Sequence, residues 1–344
     1  MNRIDRLRPL LEEPLLVTAP VNVRYLTGFE STNAALLVDG ERAVLFTDFR
    51  YAEEGRKVEG VDFVEVERAL VRGVAGHLEG TIGFEKSHLT YAGWELLRDA
   101  GLELVPRAGV VERLRAVKSG DELETIRRAT EITNEAFERL AGERFVGRTE
   151  RELAFRFAVF LHELGSHGEA FPTVVASGPN GATPHAHAGD RVIERGETVV
   201  VDGGASLDGY ASDCTRTFAT GPLPDELARA YDVVLEAQLE GLAAVATGAS
   251  GPQADAAART VIDRAGLGDA FGHGLGHGVG LLVHEAPTLR PESEDVLEPN
   301  NVVTVEPGVY LVGLGGIRIE DLVVVRDGGP LVLTAFAKEL VTVE

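Results

Sequence analysis

Four acidic residues, set in pairs across two glycine-rich turns, constrain this chain more than any other feature. Asp202 and Asp213 lie in VDGGASLDGYASDCTRTF, residues 201–218, and Glu306 and Glu320 in TVEPGVYLVGLGGIRIED, residues 304–321. Each stretch reads as two strands joined by a tight turn. A turn centred on Leu207-Asp208 sets Asp202 directly across from Asp213, and one centred on Gly313 sets Glu306 across from Glu320. Directly opposed residues have Cβ atoms about 4.5–5.5 Å apart. Acids that close repel one another unless something positive lies between them.

An imidazole accompanies them. Three of the nine histidines, His273, His277 and His284, fall within GHGLGHGVGLLVHE, residues 272–285, and His277 sits between two glycines. Each acid alone has an ordinary reading: Asp202 as a turn former before Gly203-Gly204, Asp213 as the ion-pair partner of Arg216, Glu306 as a strand end, Glu320 as solvated edge charge. Together, four carboxylates and one imidazole are the donors that two hard or borderline divalent cations take, and paired cations about 3.5–4 Å apart suit that spacing. The histidine spacing excludes the H-E-x-x-H helix. Oxygen-rich ligation suits manganese, with cobalt, zinc or iron also compatible.

Alternation along the strands sorts the neighbours. Thr215 shares a face with Asp213 and can donate to a ligating carboxylate, whereas Cys214 points away as a small buried apolar residue. Arg318 shares a face with Glu320 and either neutralises the acids or receives a substrate carboxylate through its fork. Tyr310, four residues after Glu306, points inward.

The rest of the chain reads as a scaffold. At 344 residues it is long enough for two domains, at roughly 150 residues each. Residues 1–105 alternate short apolar runs (15–18, 34–38, 43–46, 63–66 and 82–84) with helical stretches at 51–57 and 91–100, which predicts a mixed sheet flanked by helices. Asp39-Gly40 reads as a hairpin turn, and residues 22–33 as a polar loop. The character changes across 106–120, which divides the chain into 1–115 and 116–344. In the second part Ser119, Thr149 and Ser250 each precede a Glu or Gln by three residues, the spacing of a capping box, and a helix is predicted from Pro224 to about Val245. Strands are predicted at 173–176, 198–201, 210–218, 302–305, 316–319, 322–325 and 331–333.

Composition excludes several classes. With 33 basic and 55 acidic residues the chain carries a formal charge of −22, which repels a phosphate backbone, so no nucleic-acid partner is expected. No run of about 18 apolar residues predicts a membrane helix. The charged N-terminus does not read as a secretory signal. A single cysteine, Cys214, forbids an internal disulfide and is compatible with the cytoplasm.

These motifs resemble the metallopeptidases of the creatinase-like, pita-bread fold, specifically the Xaa-Pro peptidases (prolidase and aminopeptidase P). The likeness spans nearly the whole chain: NVRYLTGF and FTDFRY resemble the N-terminal α/β domain, RLRAVKSGDELETIRRA the entry to the catalytic domain, and the two acidic hairpins and HGLGHGVGLLVHE the catalytic motifs. The resemblance implies that Asp202 binds one cation, that Asp213 and Glu320 bridge two, and that His277 and Glu306 complete the second. It further implies that Glu306 shuttles a proton from the attacking water to the leaving proline nitrogen. His185, in ATPH (182–185), and His284 would contact the substrate and steady its oxyanion, with Arg318, Tyr310 and His273 lining the substrate site. His187 has no assigned role, and His162 and His167 read as surface residues. The implied substrate is a short proline-containing peptide, with Xaa-Pro dipeptides favoured by the short N-terminal domain. The alternatives are an aminopeptidase P acting on Xaa-Pro-Xaa and longer peptides, and a non-catalytic peptide-binding scaffold. A methionine aminopeptidase usually lacks such an N-terminal domain, and a creatinase works without the metal set. A homodimer is implied by the resemblance alone.

Overall fold

The computed structural model describes residues 2–344, which divide after Arg115 into two compact units. In the first, six strands, β1 (Leu15–Val17), β2 (Ala34–Val38), β3 (Ala43–Thr47), β4 (Asp62–Glu65), β5 (Thr81–Glu85) and β6 (Glu103–Arg107), form one sheet in the order β4-β3-β2-β1-β5-β6. β1, β2 and β3 pair antiparallel, while β4, β5 and β6 join parallel. Every residue of β2 and β3 is buried, so both faces of the sheet centre are covered, as continuous apolar runs require. The helices are α1 (Arg3–Leu7), α2 (Pro20–Thr27), α3 (Ala52–Gly55), α4 (Leu70–Ala75), α5 (Tyr91–Asp99) and α6 (Val110–Ala116). At the β2–β3 turn, Asp39 Oδ1 accepts the amides of Glu41 and Arg42, each at 2.8 Å.

The expected loop at 22–33 is half wrong, because α2 occupies its first part. Pro20 stands in the first turn, where its missing N–H costs nothing, and Gly28 ends the helix at φ 74°, a left-handed cap suited to glycine. Asn22, the first residue of that expected loop, is fully buried. Its amide donates to Glu85 at 2.6 Å and Glu112 at 2.7 Å, and its oxygen accepts from Arg115 at 2.9 Å. Those partners lie far along the chain, beyond the reach of local pattern. The helix expected over 51–57 shrinks to the four residues of α3.

The second unit holds two helix pairs, each over its own core. α7 (Gly120–Ala141) and α8 (Glu150–Glu163) enclose Phe137 and Phe157, whose ring centroids are 4.9 Å apart, with Val199, Val201 and Phe218 beneath. α9 (Asp225–Ala244) and α10 (Gly251–Arg264) cover Val303, Val305, Ile317 and Val323. Ser119, Thr149 and Ser250 each form the full reciprocal capping box at the head of α7, α8 and α10.

The strands beneath are β7 (Gly168–Glu169), β8 (Val174–Ser177), β9 (Thr198–Asp202), β10 (Ala205–Leu207), β11 (Tyr210–Ala211), β12 (Thr215–Ala219), β13 (Gly276–Gly278), β14 (Glu285–Leu289), β15 (Val302–Val305), β16 (Gly308–Leu311), β17 (Gly315–Arg318), β18 (Asp321–Val324), β19 (Leu331–Val332) and β20 (Val341–Thr342). They form sheets ordered β11-β10-β7, β20-β12-β9-β8 and β14-β13-β15-β18-β19, with β16–β17 as a separate hairpin.

The second acidic hairpin has the expected register: Val305 pairs with Asp321 and Gly308 with Arg318, leaving Glu306 across from Glu320. The first is displaced by two residues. Leu207 pairs with Tyr210 around Asp208-Gly209, both at positive φ, the conformation a two-residue hairpin loop prefers. Asp202 therefore opposes Thr215, and Asp213 becomes its diagonal neighbour on the same face. The single strand expected over 210–218 also breaks at Ser212–Cys214. There Gly204 lets the Ser212 carbonyl approach so closely that a Cβ would collide with it. Arg216 is almost fully buried and pairs with Asp321 at 2.9 Å, so it is not the ion-pair partner of Asp213.

In the first unit Asp48 accepts from Arg50 through both oxygens at 2.8 Å and from Asn33 at 2.5 Å. The Arg50 bonds, outweighing burial, hold its carboxyl well below the usual range. A depressed carboxyl stabilises the fold fully above its unfolded value, about 3.9, and loses that contribution as the pH falls through the folded value. Asp48→Asn should lower the urea midpoint at pH 7 by roughly 0.5–1 M, read from the fluorescence of Trp94, the chain's one tryptophan. The gap to the parent protein should narrow steadily below about pH 4; a gap independent of pH contradicts the ionic role.

Candidate active site

The four acids stand where strands stop. Asp202 ends β9, Asp213 lies between β11 and β12, Glu306 follows β15, and Glu320 lies between β17 and β18. His277 is the middle residue of β13, and both flanking glycines are backbone-contact positions: a Cβ at Gly276 would collide with the Thr304 carbonyl, and one at Gly278 with the Ala286 carbonyl. That close approach brings the imidazole to the acids.

His277 Nε2 lies 3.1 Å from Glu306 Oε1 and 3.8 Å from Asp213 Oδ2. One donor atom each from Asp213, His277 and Glu320 fall within 4.8 Å of one another. Thr215 donates its hydroxyl to Glu320 Oε2 at 2.7 Å, and Thr304 donates to Glu306 Oε1 at 3.1 Å. Arg318 Nη2 donates to Asp202 Oδ2 at 2.7 Å.

Burial, followed by the fields of Glu320, Asp202 and Glu306, pushes Asp213 well above the usual carboxyl range. Burial and then Glu306 and Asp202 do the same to Glu320. Asp202 is raised by burial, against the opposing charge of Arg318. Glu306 is the exception: burial would raise it, but the bond and charge of His277, with His273 and Arg318, bring it down to about 2. Burial works against the His277 cation, yet Glu306 and Glu320 outweigh it and lift the imidazole to about 9. The protein's own groups therefore leave Asp213 and Glu320 without enough positive charge to ionise readily.

Two carboxylate oxygens, Asp202 Oδ1 and Glu320 Oε1, are buried without a hydrogen-bond partner. Such atoms are costly unless something coordinates them. Carboxylate oxygens with one imidazole fit a divalent cation, so Asp202, Asp213, His277, Glu306 and Glu320 suit that group.

A cavity of about 580 Å3 opens over these residues, lined by His185, His187, His273, His284, Tyr310 and Arg318 among others. The His284 ring meets that of His277 at 4.2 Å between centroids. His273 Nε2 is 2.9 Å from the Tyr310 hydroxyl, and Arg318 Nη1 donates to that hydroxyl at 3.0 Å and to the Pro184 carbonyl at 3.2 Å. Arg318 Nε adds a bond to Thr215 at 3.1 Å. Most of the Arg318 fork is thus engaged within the protein. Cys214 is fully buried, and burial pushes its thiol up. His162 and His167 are exposed on the surface. Sequence reasoning left His187 without a place and overlooked Arg290, which is exposed and lines the cavity. An arginine six residues past His284 carries no spacing signal of its own.

The model of Metallopeptidase family M24 matches residues 124–327, and that of the Creatinase/Prolidase N-terminal domain matches residues 3–117. The chain is 35% identical to the Xaa-Pro dipeptidase of Pyrococcus furiosus, over 98% of this chain and 99% of that one. It is similar to the solved Xaa-Pro dipeptidase from Bacillus anthracis, with a TM-score of 0.95 and 38% identity over 99% of each chain. It is also similar to the X-Pro aminopeptidase from Thermotoga maritima MSB8, with a TM-score of 0.88 and 33% identity over 99% of this chain and 100% of that one. The expected architecture, a pita-bread domain preceded by a creatinase-type α/β domain, is borne out.

Because protons and cations compete for the same oxygens, metal affinity should fall as the pH falls. Titrating metal-free protein with Mn2+ in two buffers of different ionisation heat should show proton release at neutral pH. At a hundredfold excess of free ion over Kd, stability should rise by about 2.7 kcal/mol. Heats identical in both buffers contradict the raised pKa of Asp213 and Glu320.

Proposed function

Since this chain belongs to metallopeptidase family M24 and is a metal-dependent exopeptidase, we propose that it hydrolyses the Xaa-Pro bond of dipeptides with two divalent cations, manganese first among them. The observation that carries this reading is the gathering of Asp213, Glu306 and Glu320 about His277, with Asp202 in the field of the same acids and with Asp202 Oδ1 and Glu320 Oε1 buried and unpartnered. Asp213 and Glu320 would be shared between the cations, Asp202 would serve one of them, and His277 and Glu306 the other. When bound, the cations supply Lewis acidity that polarises the scissile carbonyl and makes water a nucleophile near neutral pH.

The chain's own groups do the rest. Glu306, held ionised, takes the proton of the attacking water and returns it to the proline nitrogen as the bond breaks. His284 and His185, both lining the cavity, offer N–H donors to the developing oxyanion. Arg318, spanning Asp202 and Tyr310, neutralises the acid cluster, while Tyr310 and His273 form the adjoining wall. The exposed Arg290 then suits the free carboxylate of a dipeptide. The similarity to the Thermotoga maritima aminopeptidase along the full chain favours a second reading, hydrolysis of Xaa-Pro-Xaa and longer peptides. A homodimer in the cytoplasm completes the proposal. Light scattering should give the mass of two chains, and the mass of one contradicts it.

Comparing kcat/KM on Ala-Pro and Ala-Pro-Ala with added Mn2+ tests the substrate. The dipeptide should be preferred, and Arg290→Ala should raise its KM about tenfold with kcat little changed. Preference for the tripeptide selects the aminopeptidase reading. Asp213→Asn should lose metal and more than about a hundredfold in kcat/KM, and near-normal turnover contradicts its bridging role.

A further inference from the structure

We propose that Glu150 is the positioning residue for the segment between β8 and β9, tying both ends of residues 178–190 so that Pro184 and His185 face the cavity. The proposal rests on reading that cavity as the peptidase site.

Glu150 is the first residue of α8, and its side chain is fully buried. An acid in a first turn has an ordinary use, complementing the helix dipole, but that role is met at the surface and does not call for burial. Burying a carboxylate is costly unless its lone pairs are filled. Here they are filled by neutral donors from the two ends of one segment. Oε1 accepts the Ser177 amide and the Ser177 hydroxyl, each at 2.8 Å. Oε2 accepts the Asn180 side-chain amide at 2.8 Å and the Gly189 backbone amide at 3.2 Å. Ser177 is where β8 ends, and Gly189 is where the chain returns. The first turn of α8 holds the return leg again: the Glu150 amide donates to the Arg191 carbonyl at 3.1 Å, and the Arg151 amide to the Gly189 carbonyl at 3.0 Å. Arg191 closes the base by donating to the Ser177 hydroxyl at 2.6 Å.

Between these anchors the chain crosses the cavity wall, where Pro184, His185, Ala186 and His187 all line it. Arg318 holds the Pro184 carbonyl at 3.2 Å. Among the described residues no hydrogen bond holds the His185 ring, which is exposed to the cavity. Its position is therefore set by its backbone, which Arg318 holds at Pro184, the turn bonds of Thr183 and Ala186 hold from within, and the two anchors hold at its ends. A donor that must meet an oxyanion within about 3 Å tolerates little drift.

Glu150→Gln keeps the shape but turns one acceptor into a donor that faces Asn180 and Gly189, or Ser177 if the amide is reversed. Two measurements on the intact, metal-loaded protein decide the matter. Amide hydrogen exchange across 178–190 should speed up at least about tenfold in Glu150→Gln while that of α8 beyond its first turn is unchanged. On Ala-Pro, kcat should fall about tenfold with KM little changed, and Glu150→Gln should cost almost nothing further when His185 is already Ala. Unchanged exchange in 178–190, or losses from the two substitutions that multiply, overturns the proposal. If Glu150→Gln fails to fold, Glu150→Asp, which keeps the charge but retracts it, takes its place with the same outcomes at smaller amplitude. An inert wild-type protein defeats the peptidase reading, while the exchange result still decides whether Glu150 clamps the segment.

Discussion

Crowding acids into a buried site is the constraint on which the rest of this molecule depends. Asp213, Glu306 and Glu320 meet around a single imidazole with Asp202 close enough to add its field, and only Glu306 has enough positive charge nearby to remain a low-pKa carboxylate. Such an arrangement is unfavourable for a chain on its own. It persists because the surrounding strands are over-determined: two helix pairs with separate cores hold the hairpins from outside, and glycines at 204, 276 and 278 let backbones approach where a side chain would not fit. The repulsion left within the protein is what gives the site its appetite for cations.

The neighbours of the acids divide that field between them. Arg318 reaches Asp202 and Tyr310 from one side, and Thr215 and Thr304 donate to single oxygens of Glu320 and Glu306 from the other. Arg216, close in sequence, is kept away by strand alternation and used to fasten Asp321 and the carbonyls of Phe336 and Ala337. One strand, β12, thus serves the site on one face and the fold on the other. Membership of family M24 agrees with this division, in which the chemistry is carried by strand ends and loops mounted on a rigid frame.

Much of this was legible in the residues because it is local. Capping boxes need only three-residue spacing, and those at Ser119, Thr149 and Ser250 all formed. The Glu306–Glu320 register followed from the glycine-rich turn at 313. The first hairpin was misjudged because the turn falls on Asp208-Gly209, whose positive φ angles fit a two-residue loop better than Leu207-Asp208. The face shared by Asp202 and Asp213 survived, since a displacement of two residues preserves alternation. What stayed hidden is long-range and polar. The buried Asn22 depends on Glu85, Glu112 and Arg115, and Glu150 looks like any first-turn acid until its partners at 177, 180 and 189 are known.

The most direct test is the metal content of the protein after loading with excess Mn2+ and exhaustive dialysis, measured by elemental analysis against protein concentration. Two cations per chain is the expected result, since Arg318 and His277 serve Asp202 and Glu306 but leave Asp213 and Glu320 short of compensating charge. A protein that folds normally and retains none contradicts the claim that these side chains are held together to bind metal.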